Sequence, residues 1–300
     1  MRFTDGIIIL SDGYVTSNED RARQKFQFSF MKRGKLRPPE PFRLPVEGIF
    51  FDYDGTLSRM DISRNKSVIS GETVGLLQRL KLLIPIGIIT TKDLSFIVPR
   101  TSFAHMWCGI GGLEMRLNDV FFEDACVEPM IPNISGALKE AHEIAGDSIY
   151  IETKLDHSGR VLAFCLDWRQ SLNYRKDKRT AGRIAELSES MGLFIVRYPG
   201  QPFIDIYPCE LNKGKALLES KRKLGIAGNV IYMGDSKIDN PAFRAADIAI
   251  GFLRGRAAKE LECKYLLKYQ DMPVFLRHML SSGLIFDSAY PEISLNRERI

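Results

Sequence analysis

Hydrophobic and polar positions along this chain predict strands that alternate with helices. Ile49–Phe51 is an apolar run that predicts a short buried strand. Ser70–Leu83 carries apolar residues at helical spacing behind a capping serine, and Ile84–Ile89 predicts a second buried strand. Strand, helix and strand in this order form a βαβ unit, whose two strands are parallel. We therefore expect an α/β fold built on a parallel sheet.

The pattern changes between residues 113 and 208. A helix followed by two strands occurs there twice, with helices expected near residues 133–145 and 178–191. Such an order is typical of an α+β unit with an antiparallel sheet. Alternation resumes afterwards, with a helix from Asn212 and a strand at Val230–Met233. The middle section is therefore expected to be a cap domain inserted into the core.

These patterns divide the chain into an N-terminal extension (1–46), a core domain (47–112 and 209–286), an inserted cap domain (113–208) and a loose C-terminal tail (287–300). Within the extension, Ile7–Leu10 and Gln24–Phe30 predict short strands. The alternating phenylalanines of the second stretch favour packing over stacking on nucleic acid. The extension is either an added packing element or a segment that binds a partner or a second copy.

Composition narrows the class of protein. The chain is 45% apolar and 26% charged, as globular proteins are, and its net charge of +5 does not imply a nucleic-acid partner. A small anionic substrate is compatible with this charge. Five widely spaced cysteines without a Cys-x-x-Cys pair predict buried thiols rather than disulfides or a zinc site. No apolar run approaches the roughly 20 residues of a membrane span, so we expect a cytoplasmic protein with no membrane partner.

Two carboxylates follow the first core strand directly. Asp52 and Asp54 stand one residue apart, Gly55 permits a tight turn, and Thr56 adds a hydroxyl. Open α/β sheets hold ligands at the carboxyl ends of their strands, and neighbouring carboxylates repel unless a cation or a proton lies between them. The arrangement suits Mg²⁺-dependent phosphoryl transfer, with Asp52 as nucleophile and Asp54 as acid and base. The structural alternative is an ordinary Asp-rich turn.

Three further segments deliver polar groups to the same edge of the predicted sheet. Thr90 ends the second strand, where its hydroxyl can bind a phosphate oxygen, although this residue taken alone is better explained as an ordinary β-branched strand end. Asp235 follows another strand, and Asp239 lies one helical turn further on, so that both can join Asp52 around Mg²⁺. Helix capping is the alternative for this pair. Lys213 opens a helix, where the dipole disfavours lysine, and can offset the charge of a transferring phosphoryl group.

Together, these segments resemble the four motifs of phosphatases in the haloacid dehalogenase superfamily. The matching stretches are Phe51-Asp52-Tyr53-Asp54-Gly55-Thr56-Leu57, Ile88-Ile89-Thr90, Lys213-Gly214-Lys215 and Gly234-Asp235-Ser236-Lys237-Ile238-Asp239. The resemblance covers about residues 47–280. It implies a Rossmann-like core and an aspartyl-phosphate intermediate. It also implies Mg²⁺ bound by the Asp52 side chain, the Asp54 backbone carbonyl and Asp235, with Asp239 in support, while Thr90 and Lys213 hold the phosphoryl group.

An inserted cap between the second and third motifs is similar to that of Cof-like and sugar-phosphate phosphatases. The stretch Asp-Tyr-Asp-Gly-Thr-Leu looks most like the trehalose-6-phosphate phosphatase branch. The chain departs from the family in having Thr90-Thr91-Lys92 where Thr/Ser-Gly-Arg is usual, and in lacking the Gly-Asp-Asp…Asp-Glu form of the fourth motif. Candidate substrate-binding residues near the site are Thr56, Thr91, Lys92 and Asn240. Candidates in the cap are Arg160, Arg175, Lys178 and Arg197, each of which also suits a solvated surface.

We therefore expect a Mg²⁺-dependent phosphatase that hydrolyses a small phosphorylated metabolite, most simply a sugar phosphate. One alternative is a phosphomutase or phosphotransferase of the same superfamily, in which a sugar replaces water as the acceptor. Another is a regulator that binds a sugar phosphate without turning it over. The presence of both Asp52 and Asp54 disfavours the regulator, because a binding protein needs neither a nucleophile nor an acid.

Overall fold

The computed structural model describes residues 3–4, 7–8, 40–59, 66–198, 200–252 and 259–296. Residues 1–41 and residues 42–300 form two separate units. In the first unit, strands β1 (Phe3–Thr4) and β2 (Ile7–Ile8) pair in antiparallel orientation. The strand predicted at Gln24–Phe30 lies outside the described residues.

Fourteen further strands among the described residues make up two sheets in the second unit. In chain order they are β3 (Arg43–Phe51), β4 (Ile86–Ile89), β5 (Met106–Gly109), β6 (Glu114–Leu117), β7 (Val120–Glu123), β8 (Tyr150–Leu155), β9 (Val161–Asp167), β10 (Phe194–Arg197), β11 (Phe203–Tyr207), β12 (Asn229–Gly234), β13 (Ile248–Phe252), β14 (Tyr265–Leu267), β15 (Ile285–Asp287) and β16 (Ile293–Leu295). The larger sheet runs β16-β14-β13-β12-β3-β4-β5-β6-β7, and β15 pairs with the start of β3. Its six central strands, from β14 to β5, are parallel. The smaller sheet, β10-β11-β9-β8, is antiparallel throughout. The predicted α/β class, with a parallel core sheet and a separate α+β cap, is confirmed.

The helices are α1 (Gly71–Lys81), α2 (Leu94–Ile97), α3 (Ile131–Ala145), α4 (Tyr174–Ser190), α5 (Lys213–Lys223), α6 (Asn240–Ala245) and α7 (Met272–Ser281). Helix α1 begins behind Ser70, whose hydroxyl accepts a hydrogen bond from the backbone N–H of Thr73, as its capping position predicts. In the cap, α3 and α4 cover one face of the smaller sheet and form a common apolar cluster with β9 and β11. A membrane-crossing helix, which must be both long and apolar, is not found in the described part of the chain.

The core sheet continues further along the chain than the sequence pattern indicates. Gly111 and Gly112 adopt positive φ angles, which let the backbone reverse directly after β5. The following strand, β6, then pairs antiparallel with β5, and β7 pairs with β6. Residues 114–123 therefore extend the core sheet, whereas we expected the cap to begin at residue 113.

Two chain connections join the core sheet to the cap, and a disulfide links them. Cys126 lies between β7 and α3, Cys209 lies between β11 and α5, and their Cα atoms are 6.4 Å apart. The prediction of free thiols is wrong for this pair, because the insertion brings together two residues that are 83 positions apart in sequence. Cys108, Cys165 and Cys263 are free and buried.

The segment after α7 is part of the sheet rather than a loose tail. Strand β15 pairs with residues 43–45 of β3, and β16 pairs with β14. Phe286 is fully buried, and its ring packs against that of Tyr265 at 5.1 Å between centroids. Two hydrogen bonds join Phe42 to Ser288: the Phe42 N–H donates to Ser288 Oγ, and the Ser288 N–H donates to the Phe42 carbonyl. The apolar residues of this short segment anchor it against the core.

Candidate active site

The carboxyl ends of three neighbouring parallel strands bring the predicted polar groups to one edge of the sheet. Phe51, the last residue of β3, pairs with Ile88 of β4 and with Met233 of β12. Asp52 follows β3 immediately, and its backbone N–H donates to the carbonyl of Met233 at 2.9 Å. Asp235 follows β12 in the same way. Because each aspartate directly follows a strand and the two strands are parallel, the side chains of Asp52 and Asp235 lie at the same edge of the sheet.

Lys213 is the central cation of this edge. It is the first residue of α5, and its side chain is 1% exposed. The Lys213 Nζ donates to Asp52 Oδ1 at 2.9 Å and to Asp239 Oδ1 at 2.7 Å. One buried ammonium thus bridges carboxylates from β3 and from the segment after β12, across 161 and 26 residues of sequence respectively.

Asp239 has hydrogen-bond donors on both carboxylate oxygens. Besides Lys213, its Oδ1 accepts a bond from Tyr232 Oη at 2.7 Å. Its Oδ2 accepts bonds from the backbone N–H and hydroxyl of Ser236 and from the backbone N–H of Asp235. These bonds form a capping box, the alternative that we considered for this residue. Asp239 therefore fixes the ammonium and the Asp235 backbone at the same time.

Asp235 lies directly against the turn that follows Asp52. A Cβ atom built on Gly55 would come within 1.9 Å of Asp235 Oδ2, and the φ angle of Gly55 is +79°. Only glycine leaves room for the carboxylate here. Asp52, Asp235 and Asp239 are all buried, and each offers a carboxylate oxygen within 4.8 Å of those of the other two.

Burial and the Lys213 charge have opposite effects on the pKa values of the two carboxyl groups: burial raises them and the ammonium lowers them. Burial raises the pKa of Asp52 to about 7, against the attraction of the Lys213 ammonium. Burial also opposes ionisation of Asp239, but Lys213 holds the pKa of that carboxyl below its usual value. For Lys213, burial alone would lower the pKa, and the Asp239 and Asp52 carboxylates raise it above the ordinary lysine value. The cluster therefore keeps its ammonium and leaves Asp52 sensitive to an added cation.

The donor set fits a magnesium ion. Mg²⁺ prefers hard oxygen ligands and is usually held by one or two carboxylates together with water and substrate phosphate. Asp52 and Asp235 supply such oxygens on either side of the Gly55 turn. Asp239 is less free to bind an ion, because its oxygens already accept five hydrogen bonds.

Curated relatives share this chain's sequence at a low level. A probable trehalose-phosphate phosphatase C of Arabidopsis thaliana is 25% identical over 291 residues, which cover 86% of this chain and 84% of the relative. A trehalose-phosphate phosphatase of Mycobacterium ulcerans is 24% identical over 221 residues, or 70% of this chain. This chain spans about half the length, 54%, of that mycobacterial protein. No protein-family model matches the sequence.

Solved structures show the same fold. A trehalose-6-phosphate phosphatase related protein superimposes with a TM-score of 0.62 at 19% identity, covering 79% of this chain and 98% of the other. A HAD subclass IIB sugar phosphatase superimposes with a TM-score of 0.55 at 15% identity, covering 80% of this chain and 100% of the other. The chain is therefore similar, in sequence and in fold, to phosphatases of the haloacid dehalogenase superfamily. The resemblance predicted from the four motifs, in the branch similar to trehalose-6-phosphate phosphatase, is confirmed, and so is the enzyme class, a phosphoric monoester hydrolase.

The two threonines of the first and second motifs are buried. Thr90 is 1% exposed, its backbone N–H donates to Cys108 O, and its Oγ1 accepts a bond from the Lys92 N–H at 3.3 Å. Thr56 is fully buried, and within the described residues its Oγ1 has no hydrogen-bond partner. A buried hydroxyl without a partner is unfavourable, so Thr56 is well suited to a ligand oxygen.

The other candidates near the site differ in where the structure places them. Lys92 Nζ lies 3.4 Å from Asp54 Oδ2, while Thr91 is half-buried on the same loop. The Asn240 side chain is used within the protein: its Nδ2 donates to the Glu260 carbonyl, and its Oδ1 accepts from the Glu262 N–H. Both groups of this amide serve the adjoining loop, so we do not include Asn240 in the substrate site.

Two of the four candidate cations of the cap are engaged in ion pairs. Arg160 binds Asp156 within the cap and also Glu123 and Glu128, which connects the β8–β9 turn to the core side. Arg197 lies 3.5 Å from a Glu189 oxygen at the surface. These contacts favour structural and surface roles for both arginines. Arg175 and Lys178 lie on α4 and are without a described contact to the carboxylate cluster.

A second buried polar cluster in the cap was missed by sequence reasoning. Lys154 Nζ donates to Asp205 Oδ1 at 3.0 Å and to Tyr207 Oη at 2.8 Å, and Tyr198 Oη donates to Asp205 Oδ2. Because Ile204 and Ile206 pack towards α3 and α4, strand alternation places Asp205 on the opposite, helix-free face. The sequence signal was weak: an aspartate inside the otherwise apolar strand β11, and a lysine in the mixed strand β8, 51 residues away.

Proposed function

We propose that this chain hydrolyses a sugar phosphate in a Mg²⁺-dependent reaction that passes through an aspartyl phosphate on Asp52. One observation carries the proposal: a buried lysine, Lys213, bridges Asp52 and Asp239 beside the carboxylate of Asp235. A merely structural cluster would not need a third carboxylate at this position, where the chain must keep a glycine at residue 55 to accommodate it.

In the first step, a carboxylate oxygen of Asp52 attacks the phosphorus atom of the ester. The bond between phosphorus and the ester oxygen breaks, and the carboxyl group of Asp54 gives its proton to the departing sugar oxygen. Asp54 is suited to this task because its side chain is 32% exposed and lies two residues from the nucleophile. The buried Asp52 faces the Lys213 ammonium, which stabilises negative charge on the transferring group.

In the second step, water attacks the phosphorus of the aspartyl phosphate. The Asp54 carboxylate removes a proton from this water, the bond between phosphorus and Asp52 breaks, and inorganic phosphate leaves with Asp52 regenerated. Lys213 faces Asp52 throughout, and Thr90 and Thr56 supply buried hydroxyls for phosphoryl oxygens. A Mg²⁺ ion held by Asp52, Asp235 and the Asp54 carbonyl would offset the charge of the phosphate group when bound.

The names of the relatives and the polar face of the cap support a sugar phosphate as the substrate. The two curated relatives described above are named as a probable trehalose-phosphate phosphatase and a trehalose-phosphate phosphatase. The cap sheet carries Lys154, Asp205 and two tyrosine hydroxyls on its helix-free face, a set of donors and acceptors that suits sugar hydroxyls. We therefore assign the choice of the leaving group to the cap.

Hydrolysis of a panel of phosphorylated sugars, in ¹⁸O-labelled water, tests this proposal. The expected result is release of inorganic phosphate that contains ¹⁸O, loss of activity with EDTA, and recovery with Mg²⁺. The Asp52→Asn variant should lose turnover while keeping its circular dichroism spectrum. The matched control is Asp119→Asn, an aspartate whose side chain is 98% exposed on the β6–β7 turn and whose variant should remain active.

The same experiment separates the alternatives. Transfer of the phosphoryl group to a second sugar, without ¹⁸O in phosphate, would identify a phosphomutase or phosphotransferase. Binding of sugar phosphates without turnover would identify a regulator. Full activity of Asp52→Asn would exclude this carboxylate as the nucleophile.

A further inference from the structure

Lys92 lies beside the carboxylate that we propose as acid and base. Its Nζ is 3.4 Å from Asp54 Oδ2, and the two side chains are 21% and 32% exposed. The Nζ also lies 5.7 Å from the centre of the Phe96 ring, which Arg100 contacts more closely at 4.0 Å. The ammonium is therefore held between a carboxylate and an aromatic face at the rim of the site.

The backbone of Lys92 is fixed on both sides. Its N–H donates to Thr90 Oγ1, and its carbonyl accepts a hydrogen bond from the Ile110 N–H at 2.8 Å. These bonds tie the residue to the end of β4 and to the glycine turn after β5. A lysine side chain has much rotamer freedom, but here its starting point is set by the sheet edge that carries the catalytic groups.

The backbone of Asp54 is held on its own loop by a bridge to Ser58, but its side chain extends to the rim of the site. It lies outside the buried carboxylate cluster, and about a third of its side chain is exposed. An acid that must reach the ester oxygen in one step and a water in the next needs a defined orientation, since a misplacement of about 1 Å can cost about 100-fold in rate. The contact with Lys92 supplies an anchor for one carboxylate oxygen and leaves the other available.

We propose that Lys92 is a positioning residue that holds the Asp54 carboxylate towards the nucleophile, rather than a residue that binds substrate. This inference rests on the proposed function, because it assigns Asp54 its role there. It also gives a role to a lysine at the place where the family motif usually has arginine. The arginine side chain also carries a positive charge and is long enough to reach Asp54, so the Lys92→Arg exchange should preserve the ion pair with Asp54.

A double-mutant cycle with Lys92→Met and Asp54→Asn tests the inference, with turnover measured on a sugar phosphate and on para-nitrophenyl phosphate. Lys92→Met should lower kcat about tenfold or more and change KM by less than about threefold, since a positioning residue acts on the chemical step. Lys92→Arg should recover most of kcat. In the Asp54→Asn background, the same Lys92→Met change should have no further effect, because its target is gone.

The matched control is Lys221→Met, since Lys221 forms an ion pair with Asp247 at 3.1 Å with similar exposure, 23% and 38%. This variant should keep the wild-type kcat. An equal loss of kcat from Lys92→Met in both backgrounds would overturn the inference, as would a rise in KM alone or no change. A wild-type protein that hydrolyses no phosphate ester would instead refute the proposed function, and the inference with it.

Discussion

Replacing Lys213 by methionine should destabilise the folded protein, and the structure sets the size of the effect. The side chain is 1% exposed and its ammonium serves two carboxylates, Asp52 and Asp239, that are themselves buried. Removing one partner of a buried ion pair typically costs about 3–5 kcal/mol, because the remaining charge is left buried without compensation. We expect a loss of this size in the free energy of unfolding at pH 8 in buffer containing EDTA.

The assay is thermal and chemical unfolding followed by circular dichroism. For a domain of this size, a loss of 1 kcal/mol lowers Tm by about 2–4 °C, so the expected decrease is about 6–20 °C. The matched control is Lys215→Met on the same helix, whose side chain is 66% exposed and pairs with Asp124. An exposed pair contributes less than about 1 kcal/mol, so this control should lower Tm only slightly.

The pH dependence of the difference has a defined sign. Without the ammonium, the pKa of Asp52, already raised to about 7 by burial, rises further. When the pKa of a carboxyl group is higher in the folded state than its ordinary value of about 3.9, the free energy of unfolding of the protein falls as pH increases from the ordinary pKa to the folded-state pKa. The difference in the free energy of unfolding between wild type and Lys213→Met should therefore become smaller as pH is lowered from 8 to 5. Added Mg²⁺ should also reduce this difference at pH 8. A loss below about 1 kcal/mol, or a gap that is independent of pH, would refute the reasoning.

Two other substitutions test features of the same unit. Gly55→Ala should displace the Asp235 carboxylate, because the added Cβ would lie only 1.9 Å from Asp235 Oδ2. Half-maximal activity of this variant should then need about tenfold more Mg²⁺ than that of wild type. An unchanged Mg²⁺ titration would show that the carboxylate is not a ligand. Reducing the Cys126–Cys209 disulfide, or replacing both cysteines by serine, should lower the free energy of unfolding by about 4.5 kcal/mol on the loop-entropy estimate for 83 residues. Equal denaturant midpoints with and without a dithiol would contradict this estimate.

Sequence patterns were most informative where function depends on a strand end. Asp52 and Asp235 follow apolar runs directly, and parallel pairing then requires that they share an edge, as the register of β3 with β12 shows. The position of Lys213 could be predicted from a helix boundary instead. Asn212 marks the start of α5, because its side chain caps the helix, and Lys213 follows it directly.

Contacts within the cap could not be predicted from the sequence, because they depend on strand register and join residues that are far apart in the chain. Lys154 meets Asp205 only because β8 and β11 flank β9 in a particular pairing, and no local pattern specifies that pairing. The disulfide has the same origin, because its two cysteines are 83 residues apart in sequence. The contacts of Asn240 were equally unpredictable: it stands beside a motif residue, and its amide binds the neighbouring loop.

The pair of hydrogen bonds between Phe42 and Ser288 has a practical consequence for protein engineering. The stretch that contains every proposed catalytic group begins and finishes at adjacent points, so it can be grafted into a surface loop of a host protein with little strain on either partner. New chain ends can likewise be opened elsewhere on the surface, once a short linker joins residue 42 to residue 288, at the cost of the edge strand β16 that follows residue 288. A permuted protein of this kind would keep β3 in the middle of its sheet, with the proposed nucleophile Asp52 still at the end of that strand.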